Sequence, residues 1–503
     1  MRVFKTLLRL ALGRRDARAS QVDLDQVLLR WTPQDPWTVR DAVSGTLIVG
    51  RTGSGKTSAS GKAIALAMLR AGFGGLVLTA KSSECDAWRE YAEAAGRTKD
   101  LVVFSPTGPW RFNFLDDELK RPGHGAGLTE NIVGLLTTAL EVAERGSGGR
   151  EEEGYWRRAT RQLCRNAVEL LSLAKGVVSI PDLYRVVISA PTSLEQVRST
   201  EWRANSYCYF CLGAADKRAK SGQQARDFEL VADYFLVEFA SLSDRTRSVV
   251  VSTCSSFVDV LNRGVLRDLF CTETNLTPRD IADGRIMVID LPVKEYGEVG
   301  KIAQVLWKYA FQRSIERRGA TAAHPVFLWA DEVENFAHSY DMSFLTTCRS
   351  SLVATVFLVQ NISTLHAALG GNEKARNEAT SLLGNLSTTI LHANGDATTN
   401  EWGANLIGKS KQLFANGSSS RGADDQISEM FDLGVVAPPA NTSAGFSEAW
   451  EYEAPPSTFT RLRTGGPAND YKVDGIVFQS GRTFRASGRT WCSVVFDQRS
   501  GPR

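Results

Sequence analysis

Long apolar runs are missing from this sequence. Hydrophobic residues make up 43% of its 503 residues, yet no stretch reaches the ~18 apolar residues in a row that a membrane-spanning helix needs. We therefore expect no spanning helix, and we expect the apolar content to form the cores of roughly two to four domains.

The nearest approach to an apolar run is the N-terminus, MRVFKTLLRLALGRRDAR. It predicts a short basic amphipathic helix with Arg2, Lys5 and Arg9 on one stripe. Such a helix either docks on the protein body or a partner, or lies on an anionic membrane surface. A secretory signal is not expected, because Arg9 interrupts the apolar stretch and no small-residue cleavage site follows. We expect a cytoplasmic protein, either free or peripheral at the inner face of the cell membrane.

Excess charge is also missing. The 59 Lys and Arg residues against 56 Asp and Glu residues give a net charge of +3, which excludes the global basic character of small nucleic-acid-binding domains. Any nucleic-acid contact must then come from local patches. Two basic clusters are either such patches or solvated faces, for instance paired with the acids at 151–153, and the sequence leaves this open. They consist of Arg157, Arg158, Arg161 and Arg165, and of Lys217, Arg218 and Lys220.

Cysteine and histidine are few and scattered. The 8 cysteines show no framework spacing, which fits a reducing cytosol better than secretion. Cys208 and Cys211 form a lone C-x-x-C pair without the second half-site that structural zinc needs, so we expect buried thiols there. The 5 histidines show no ligand spacing.

What is present is an alternation of apolar strands and helices. A strand at 46–50, a helix at about 57–71 and a strand at 76–80 form a βαβ unit, which is typical of a parallel α/β sheet. Helical periodicity then dominates from about 113 to 238. Later strands are predicted at 285–293, 326–330, 352–359 and 386–393, with a helix at 300–318.

These patterns predict an α/β core that is interrupted by an all-α domain and then resumes. The sheet is expected to be rich in parallel strands. The predicted divisions are an N-terminal segment at 1–43, the first part of the nucleotide-binding domain at 44–112, the all-α domain at 113–245, the second part of the nucleotide-binding domain at 246–436, and a C-terminal extension with short strands at 437–503.

Residues 50–57, GRTGSGKT, match the phosphate-binding loop G-x-x-x-x-G-K-[ST]. Glycines let successive backbone N–H groups curl around a phosphate, and the following helix points its positive end at the same anion. Lys56 is expected to reach the β- and γ-phosphates of ATP, and Thr57 to ligate Mg²⁺. The predicted nucleotide-binding residues are Gly50, Arg51, Thr52, Gly53, Ser54, Gly55, Lys56 and Thr57.

Two adjacent acids end the apolar strand VFLWA. A buried carboxylate needs a partner, and a phosphate-binding loop needs an acid at another strand end to hold Mg²⁺. We therefore expect Asp331 to be the second metal-side residue beside Thr57, and Glu332 to orient or deprotonate the attacking water. Glu334 is expected to be a surface residue.

The next strand is flanked by Arg349 and Gln360 in CRSSLVATVFLVQN. In ring-shaped ATPases an arginine from one subunit reaches the γ-phosphate of its neighbour, and a polar strand tip can sense that phosphate. Such flanking residues are common, so chemistry alone leaves these two roles open.

The order of these features resembles the type IV secretion coupling proteins, the conjugative DNA-transfer ATPases related to FtsK- and HerA-like motors. The resemblance rests on GRTGSGKT, FSPTGPWRFNFLDD with Asn113, LWADEVENFA, CRSSLVATVFLVQN and the Asp396-to-Thr399 helix start. It implies a RecA-like core, a helical domain, a homo-hexamer, DNA pumping, and catalytic roles for Lys56, Glu332, Arg349 as arginine finger and Gln360 as sensor. The chain departs from the family at Lys81, where only the lysine of Asp-Pro-Lys-Gly remains, and in lacking two N-terminal spanning helices.

The resemblance makes an ATP-hydrolysing DNA translocase the first hypothesis, with ATP and Mg²⁺ as cofactors. The implied partners are single- or double-stranded DNA bound without sequence preference, and relaxase or secretion-channel components. One alternative is a soluble FtsK- or HerA-like motor in DNA processing or defence. Another is a nucleotide-gated protein-substrate receptor with little turnover.

Overall fold

A computed structural model of the chain describes residues 22–144, 153–318, 324–338, 340–420 and 441–499. The predicted N-terminal amphipathic helix and the acids at 151–152 lie outside these residues. The strands are β1 (Val27–Thr32), β2 (Asp35–Thr38), β3 (Thr46–Val49), β4 (Gly74–Leu78), β5 (Leu101–Phe104), β6 (Ile286–Ile289), β7 (Val326–Ala330), β8 (Val353–Val359), β9 (Thr388–Leu391), β10 (Lys409–Ser420), β11 (Asn441–Tyr452), β12 (Lys472–Gln479) and β13 (Trp491–Asp497).

The α-helices alternate with these strands and also fill the long interval between β5 and β6. They are α1 (Val39–Ala42), α2 (Lys62–Arg70), α3 (Ser82–Ala94), α4 (Phe114–Lys120), α5 (Thr129–Glu144), α6 (Glu153–Lys175), α7 (Ile180–Ser189), α8 (Leu194–Arg198), α9 (Thr200–Asn205), α10 (Tyr207–Lys217), α11 (Gly222–Asp233), α12 (Asp244–Leu261), α13 (Gly264–Phe270), α14 (Pro278–Ala282), α15 (Val293–Glu316), α16 (Tyr340–Thr347), α17 (Ile362–Ala368), α18 (Glu373–Gly384), α19 (Ala397–Ile407) and α20 (Pro456–Thr460).

A 9-stranded sheet forms the centre of the molecule, in the order β13-β12-β9-β3-β8-β7-β4-β6-β5. The strands from β9 to β5 in this order pair in parallel. Every residue of β3, β4, β6, β7, β8 and β9 is buried, because helices cover both faces of a parallel sheet. The predicted α/β core with a parallel-rich sheet is therefore confirmed.

Parallel strands place their carboxyl ends at one edge of the sheet, where ligands of open α/β sheets bind. The strand that precedes the phosphate-binding loop, β3, lies beside β8, and β8 lies beside β7. The ends of β3, β7 and β8 therefore carry Lys56, Asp331 and Gln360 to the same edge.

The C-terminal strands are part of this sheet, which the sequence did not indicate. Strand β12 pairs antiparallel with β9, and β13 pairs antiparallel with β12 as the outermost strand of the sheet. The burial of β13 alternates along its length, as expected for a strand with one face on the core. The short strands predicted in 437–503 are present, but they extend the central sheet. Strand β5 and the β1–β2 hairpin were not predicted.

The helical interval runs from α4 to α14, so helices continue to Ala282, beyond the predicted limit of 245. Its apolar faces join the same hydrophobic core as one face of the sheet. Asn113 begins this interval by capping α4, since its Oδ1 accepts from the Asp116 amide at 3.2 Å. The division into domains stays a prediction.

A two-stranded ribbon, β10 with β11, extends beyond α19. Leu413, Phe446 and Trp450 lie on one of its faces by register and are 71%, 79% and 62% exposed.

Among the described residues, none of the individual helices combines the length and apolar character required to cross a membrane. One bent pair, α12 with α13 at 80°, meets the requirement by length and composition only.

Candidate nucleotide-binding and hydrolysis site

The loop at 50–57 has a shape that its glycines require. Gly53 and Gly55 have φ values of +75° and +85°, a region that side chains with a Cβ rarely adopt. A Cβ on Gly50 would lie 2.4 Å from Ser54 Oγ, whereas one on Gly53 would meet nothing within 4 Å. The loop is therefore closed at Gly50 and open at Gly53.

The residues predicted to ligate Mg²⁺ are in direct contact. Thr57 Oγ1 donates a hydrogen bond to Asp331 Oδ2 at 2.6 Å, and Lys56 Nζ lies 4.0 Å from Asp331 Oδ1. A hydroxyl and a carboxylate are hard oxygen ligands that suit Mg²⁺. The buried Ser54 Oγ has no hydrogen-bond partner among the described residues. This donor set and the open glycine cradle fit a magnesium–nucleotide complex.

Glu332 sits in a strained backbone position next to Asp331. Its φ and ψ are both 52°, in the left-handed region, and its amide donates to Asp331 Oδ1 at 2.9 Å. Such backbone positions cluster at functional sites because surrounding contacts must enforce them. The turn brings the Glu332 carboxylate to residues that follow β4 and β8.

Two side chains hold the Glu332 carboxylate. Lys81 Nζ lies 2.6 Å from Glu332 Oε1, and Gln360 Nε2 donates to the same oxygen at 3.4 Å. Burial raises the pKa of Glu332, but the hydrogen bond and charge of Lys81 outweigh burial and hold that pKa below its usual range. Glu332 is thus ionised at neutral pH.

The end of β4 is fixed by a buried glutamine on α15. Gln304 Oε1 accepts from the Thr79 amide at 3.1 Å, and Gln304 Nε2 donates to the Thr79 and Leu291 carbonyls at 2.6 and 3.1 Å. Lys81 follows two residues later. The sequence singled out Lys81 only as the remnant of a family motif, and its contact with Glu332 was missed.

Two further acids lie close to this centre, and one corrects a prediction. Glu334 is half-buried, not a surface residue, and burial raises its pKa to about 7. Glu84 accepts from the Ala80 amide at 2.9 Å, and burial together with the charge of Asp331 raises its pKa to about 8. Both carboxyls therefore bind protons far more readily than a solvated glutamate.

Arg349 is remote from the loop of its own chain. It precedes β8 while Gln360 follows it, so the 7 residues of β8 separate the two by about 23 Å, at roughly 3.3 Å per residue. Arg349 is exposed and borders a surface cavity of about 290 Å³. The structure brings Gln360 to the predicted site at the carboxyl ends of the parallel strands. It places Arg349 near their amino ends, on the opposite side of the sheet from that site.

A buried histidine joins the phosphate-binding loop to the C-terminal strands, and sequence reasoning missed it. His392 follows β9, and its Nδ1 lies 2.8 Å from the Asp474 carbonyl of β12. Since a carbonyl only accepts, Nδ1 carries the proton, and Nε2 accepts from Ser60 Oγ at 2.7 Å. Burial lowers the pKa of His392 to about 4. The isolated histidine gave no signal of this contact.

The remaining motif residues have structural partners. Asp396 caps α19 by accepting from the Thr399 amide at 3.0 Å, and Thr399 Oγ1 accepts from the Ile362 amide at 2.9 Å. These contacts join the starts of α19 and α17. Cys208 and Cys211 are buried on α10.

The basic clusters also have partners. Arg161 and Arg165 both pair with Glu130 on α5. Lys220 donates to the Ala215, Asp216 and Arg218 carbonyls at the end of α10, as a cation does at a helix C-terminus. These contacts favour the solvated-face reading for the three residues.

The comparisons with known proteins concern the family resemblance and the fold. Residues 325–433, which contain Asp331, Glu332, Arg349 and Gln360, match the family model TraG-D_C, described as the TraM recognition site of TraD and TraG. The bacterial conjugative coupling protein TrwBdeltaN70 aligns over 96% of this chain and 90% of its own, with a TM-score of 0.60 and 14% identity.

The chain has the fold of a conjugative coupling protein. The plasmid coupling protein TrwB in complex with the GTP analogue GDPNP aligns over 97% of this chain and 92% of its own, with a TM-score of 0.61 and 15% identity. TrwB with ADP and Mg²⁺ aligns over 96% and 92%, with a TM-score of 0.60 and 14% identity. No curated protein matches the sequence. The predicted resemblance to coupling proteins, with a RecA-like α/β core and a helical insert, is confirmed.

Proposed function

We propose that the protein is an ATP-hydrolysing DNA translocase of the coupling-protein type that works as a ring. The observation that carries this proposal is the pairing of Thr57 with Asp331 at 2.6 Å beside an ionised Glu332. A metal-side pair with a separate carboxylate one residue on is the arrangement that hydrolysis of a phosphoanhydride requires. The coupling-protein fold supports DNA as the substrate that is moved.

Each residue has a distinct role in this proposal. Lys56 and the amides of the loop bind the β- and γ-phosphates, while Thr57 and Asp331 hold the metal. Bound Mg²⁺ would neutralise the charge that develops between the two phosphates. Glu332 accepts a proton from the water whose oxygen attacks the γ-phosphorus, and the bond to the bridging oxygen of ADP breaks.

Gln360 and Arg349 act from different chains in this proposal. Gln360 contacts Glu332 at 3.4 Å, so it can relay the occupancy of the γ-phosphate site to the end of β8. Arg349 lies about 23 Å from that edge by the length of β8, so it reaches a nucleotide only if that nucleotide is bound to a neighbouring copy. A homo-hexameric ring provides such a neighbour.

The partners follow from the same fold. We propose DNA, single- or double-stranded, gripped by its backbone and not by its base sequence. Relaxase or secretion-channel components are further proposed partners, and TraM-type recognition through residues 325–433 would be one route to them. The N-terminal segment would supply any contact with the cell membrane, at the cytoplasmic face.

Steady-state hydrolysis of ATP tests the proposal directly. We expect the rate to rise with single-stranded or duplex DNA. Glu332→Gln is expected to lower kcat by roughly 10²–10⁴-fold, the usual contribution of a general base, while leaving Mg-ATP binding intact. Glu373→Gln, on the exposed start of α18, is the matched control and is expected to behave like the wild type.

The opposite results would be equally clear. ATP binding with negligible turnover and no response to DNA would exclude a motor and favour a nucleotide-gated receptor. DNA-stimulated hydrolysis that survives Glu332→Gln would show that another group activates the water.

A further inference from the structure

The C-terminal segment, which runs from the loop between α20 and β12 to the end of β13, contacts the phosphate-binding loop through β12. A Cβ on Gly55 would lie 2.5 Å from Val473 Cγ2, so β12 touches the loop at that glycine. Gln498, just after β13, donates from Nε2 to Ser58 Oγ at 2.7 Å. Ser58 directly follows the metal-side Thr57. The C-terminal segment therefore forms a wall beside the first turn after the phosphates.

Both the side chain and the backbone of Gln498 are held by hydrogen bonds to the loop between α20 and β12. Gly466 N donates to Gln498 Oε1 at 2.8 Å, and the Gln498 amide donates to the Tyr471 carbonyl at 3.0 Å. A Cβ on Gly465 would lie 2.4 Å from Gln498 Oε1, and the φ of Gly465 is +80°. Only glycine fits there, so the glycine pair orients the amide of Gln498 toward Ser58.

The same loop presents an aromatic ring with a cation against it. Asp470 and Tyr471 have φ values of 51° and 57°, and consecutive non-glycine residues in this region occur where surrounding contacts enforce them. Arg499 lies 4.7 Å from the centre of the Tyr471 ring and donates to the Asp470 carboxylate at 2.7 Å. Tyr471 nevertheless remains 36% exposed, so the ring is braced but accessible.

The direction of a bound nucleotide follows from the phosphate-binding loop. Lys56 and Thr57 receive the terminal phosphates, so the α-phosphate and the nucleoside extend past Ser58. Gln498 borders Ser58, and Tyr471 lies across from Gln498 because their backbones are hydrogen bonded. Tyr471 and Gln498 are therefore neighbouring residues, and Gln498 borders the position past which the nucleoside extends.

We propose that Tyr471, Gln498 and Arg499 form the nucleoside-binding subsite, with the purine stacked on the Tyr471–Arg499 pair and the ribose beside Gln498. This inference rests on the proposed function, which supplies the nucleotide. Stacking uses the π face that every base has. ATP and GTP should therefore bind with similar affinity, and the smaller pyrimidine of CTP should bind more weakly.

Calorimetric binding of Mg-ATP and of Mg-tripolyphosphate, which has no base, separates the two parts of the nucleotide. Tyr471→Asn removes the ring and keeps a residue that tolerates positive φ. We expect it to weaken Mg-ATP binding by about 10-fold or more and to leave tripolyphosphate binding unchanged. Tyr471→Phe should bind both ligands like the wild type. Tyr452→Asn is the control, since Tyr452 also stacks with a cation, Lys409, but on β11.

The outcomes distinguish this subsite from the proposed function. A folded Tyr471→Asn protein with unchanged Mg-ATP affinity would overturn the subsite, and so would an equal loss of ATP and tripolyphosphate. A wild-type protein that binds neither ligand would instead overturn the proposed function. Fluorescence of bound ethenoadenosine triphosphate provides a second readout, because stacking should quench it in the wild type and Tyr471→Phe but not in Tyr471→Asn.

Discussion

At the residue scale, the ionisation of Glu332 depends on its contact with Lys81. Glu332 is buried, so without a cation nearby its carboxylate would lose charge readily. Lys81 supplies that cation at 2.6 Å, and Gln304 fixes the strand end from which Lys81 extends. Lys81 is a positioning residue in this account, because it orients and ionises the group that activates water.

We therefore predict that Lys81→Met moves the acid limb of the kcat–pH profile to higher pH. Lys81 holds the pKa of Glu332 below its usual range, so its removal lets burial raise that pKa and protonate the base at a higher pH. The measurement is DNA-stimulated ATP hydrolysis between pH 5 and 9. Lys81→Arg keeps the charge and should keep the wild-type limb. A lowered plateau with an unmoved limb would contradict this role.

At the element scale, His392 connects β9, β12 and the turn that follows the phosphate-binding loop. The imidazole is neutral because burial lowers its pKa to about 4, and its two nitrogens bond Ser60 and the Asp474 carbonyl. Protonation would remove the acceptor that Ser60 uses. The C-terminal strands are thus coupled to the loop by a group that titrates below neutral pH.

Thermal unfolding should show this coupling as a pH dependence. The unfolded chain binds a proton at His392 near the usual pKa of 6.5, and the folded chain only near 4. Stability from this group is therefore complete above about pH 6.5 and is lost as pH falls toward 4. We predict that His392→Gln has a smaller fall in Tm over this window than the wild type.

His124→Gln, at an exposed position on the loop before α5, is the control for this series. It should keep the wild-type slope of Tm against pH. An identical slope in His392→Gln and the wild type would show that other groups account for acid sensitivity, such as Glu332, whose pKa lies below its usual range.

At the scale of the whole molecule, the sheet places the proposed nucleotide site and Arg349 at opposite ends of its parallel strands. The nucleotide edge carries the ends of β3, β7 and β8, whereas Arg349 lies at the other end of β8 beside a cavity of about 290 Å³. A single copy is therefore incomplete as an ATPase in the proposed mechanism. Assembly would bring one copy's Arg349 to the nucleotide of the next.

Mixing experiments test this arrangement. Arg349→Ala should bind Mg-ATP normally and lose roughly 10³-fold or more in kcat, as for other arginine fingers. Lys56→Ala should lose nucleotide binding but keep its finger. Equal mixtures of the two should regain activity, because sites with an intact Lys56 then meet an intact Arg349. Arg376→Ala, exposed on α18, is the control.

Failure of the mixture to regain activity, although the two proteins assemble together, would argue that Arg349 acts within its own chain or not at all. A kcat for Arg349→Ala equal to that of the control would exclude the finger role itself.

Local sequence was enough to predict the loop at 50–57 and the buried strands β3, β6, β7 and β8, and to select Thr57 and Asp331 as candidate metal-side residues. Glycine conformation, unbroken apolar runs and the cost of a buried carboxylate are local properties, and parallel strands bring their ends to one edge wherever they occur. The surface assignment of Glu334 was wrong, because its burial depends on residues that are far away in sequence.

Only the tertiary structure decided the contacts between distant segments. Lys81 and Glu332 are 251 positions apart by number, and their pairing depends on β4 lying beside β7. The addition of β12 and β13 to the sheet, and with it the contacts of His392, Tyr471 and Gln498 near the loop, depends on an antiparallel pairing with β9. Strand order is set by long-range packing, and no local pattern in one sequence records which strand will become the neighbour of another.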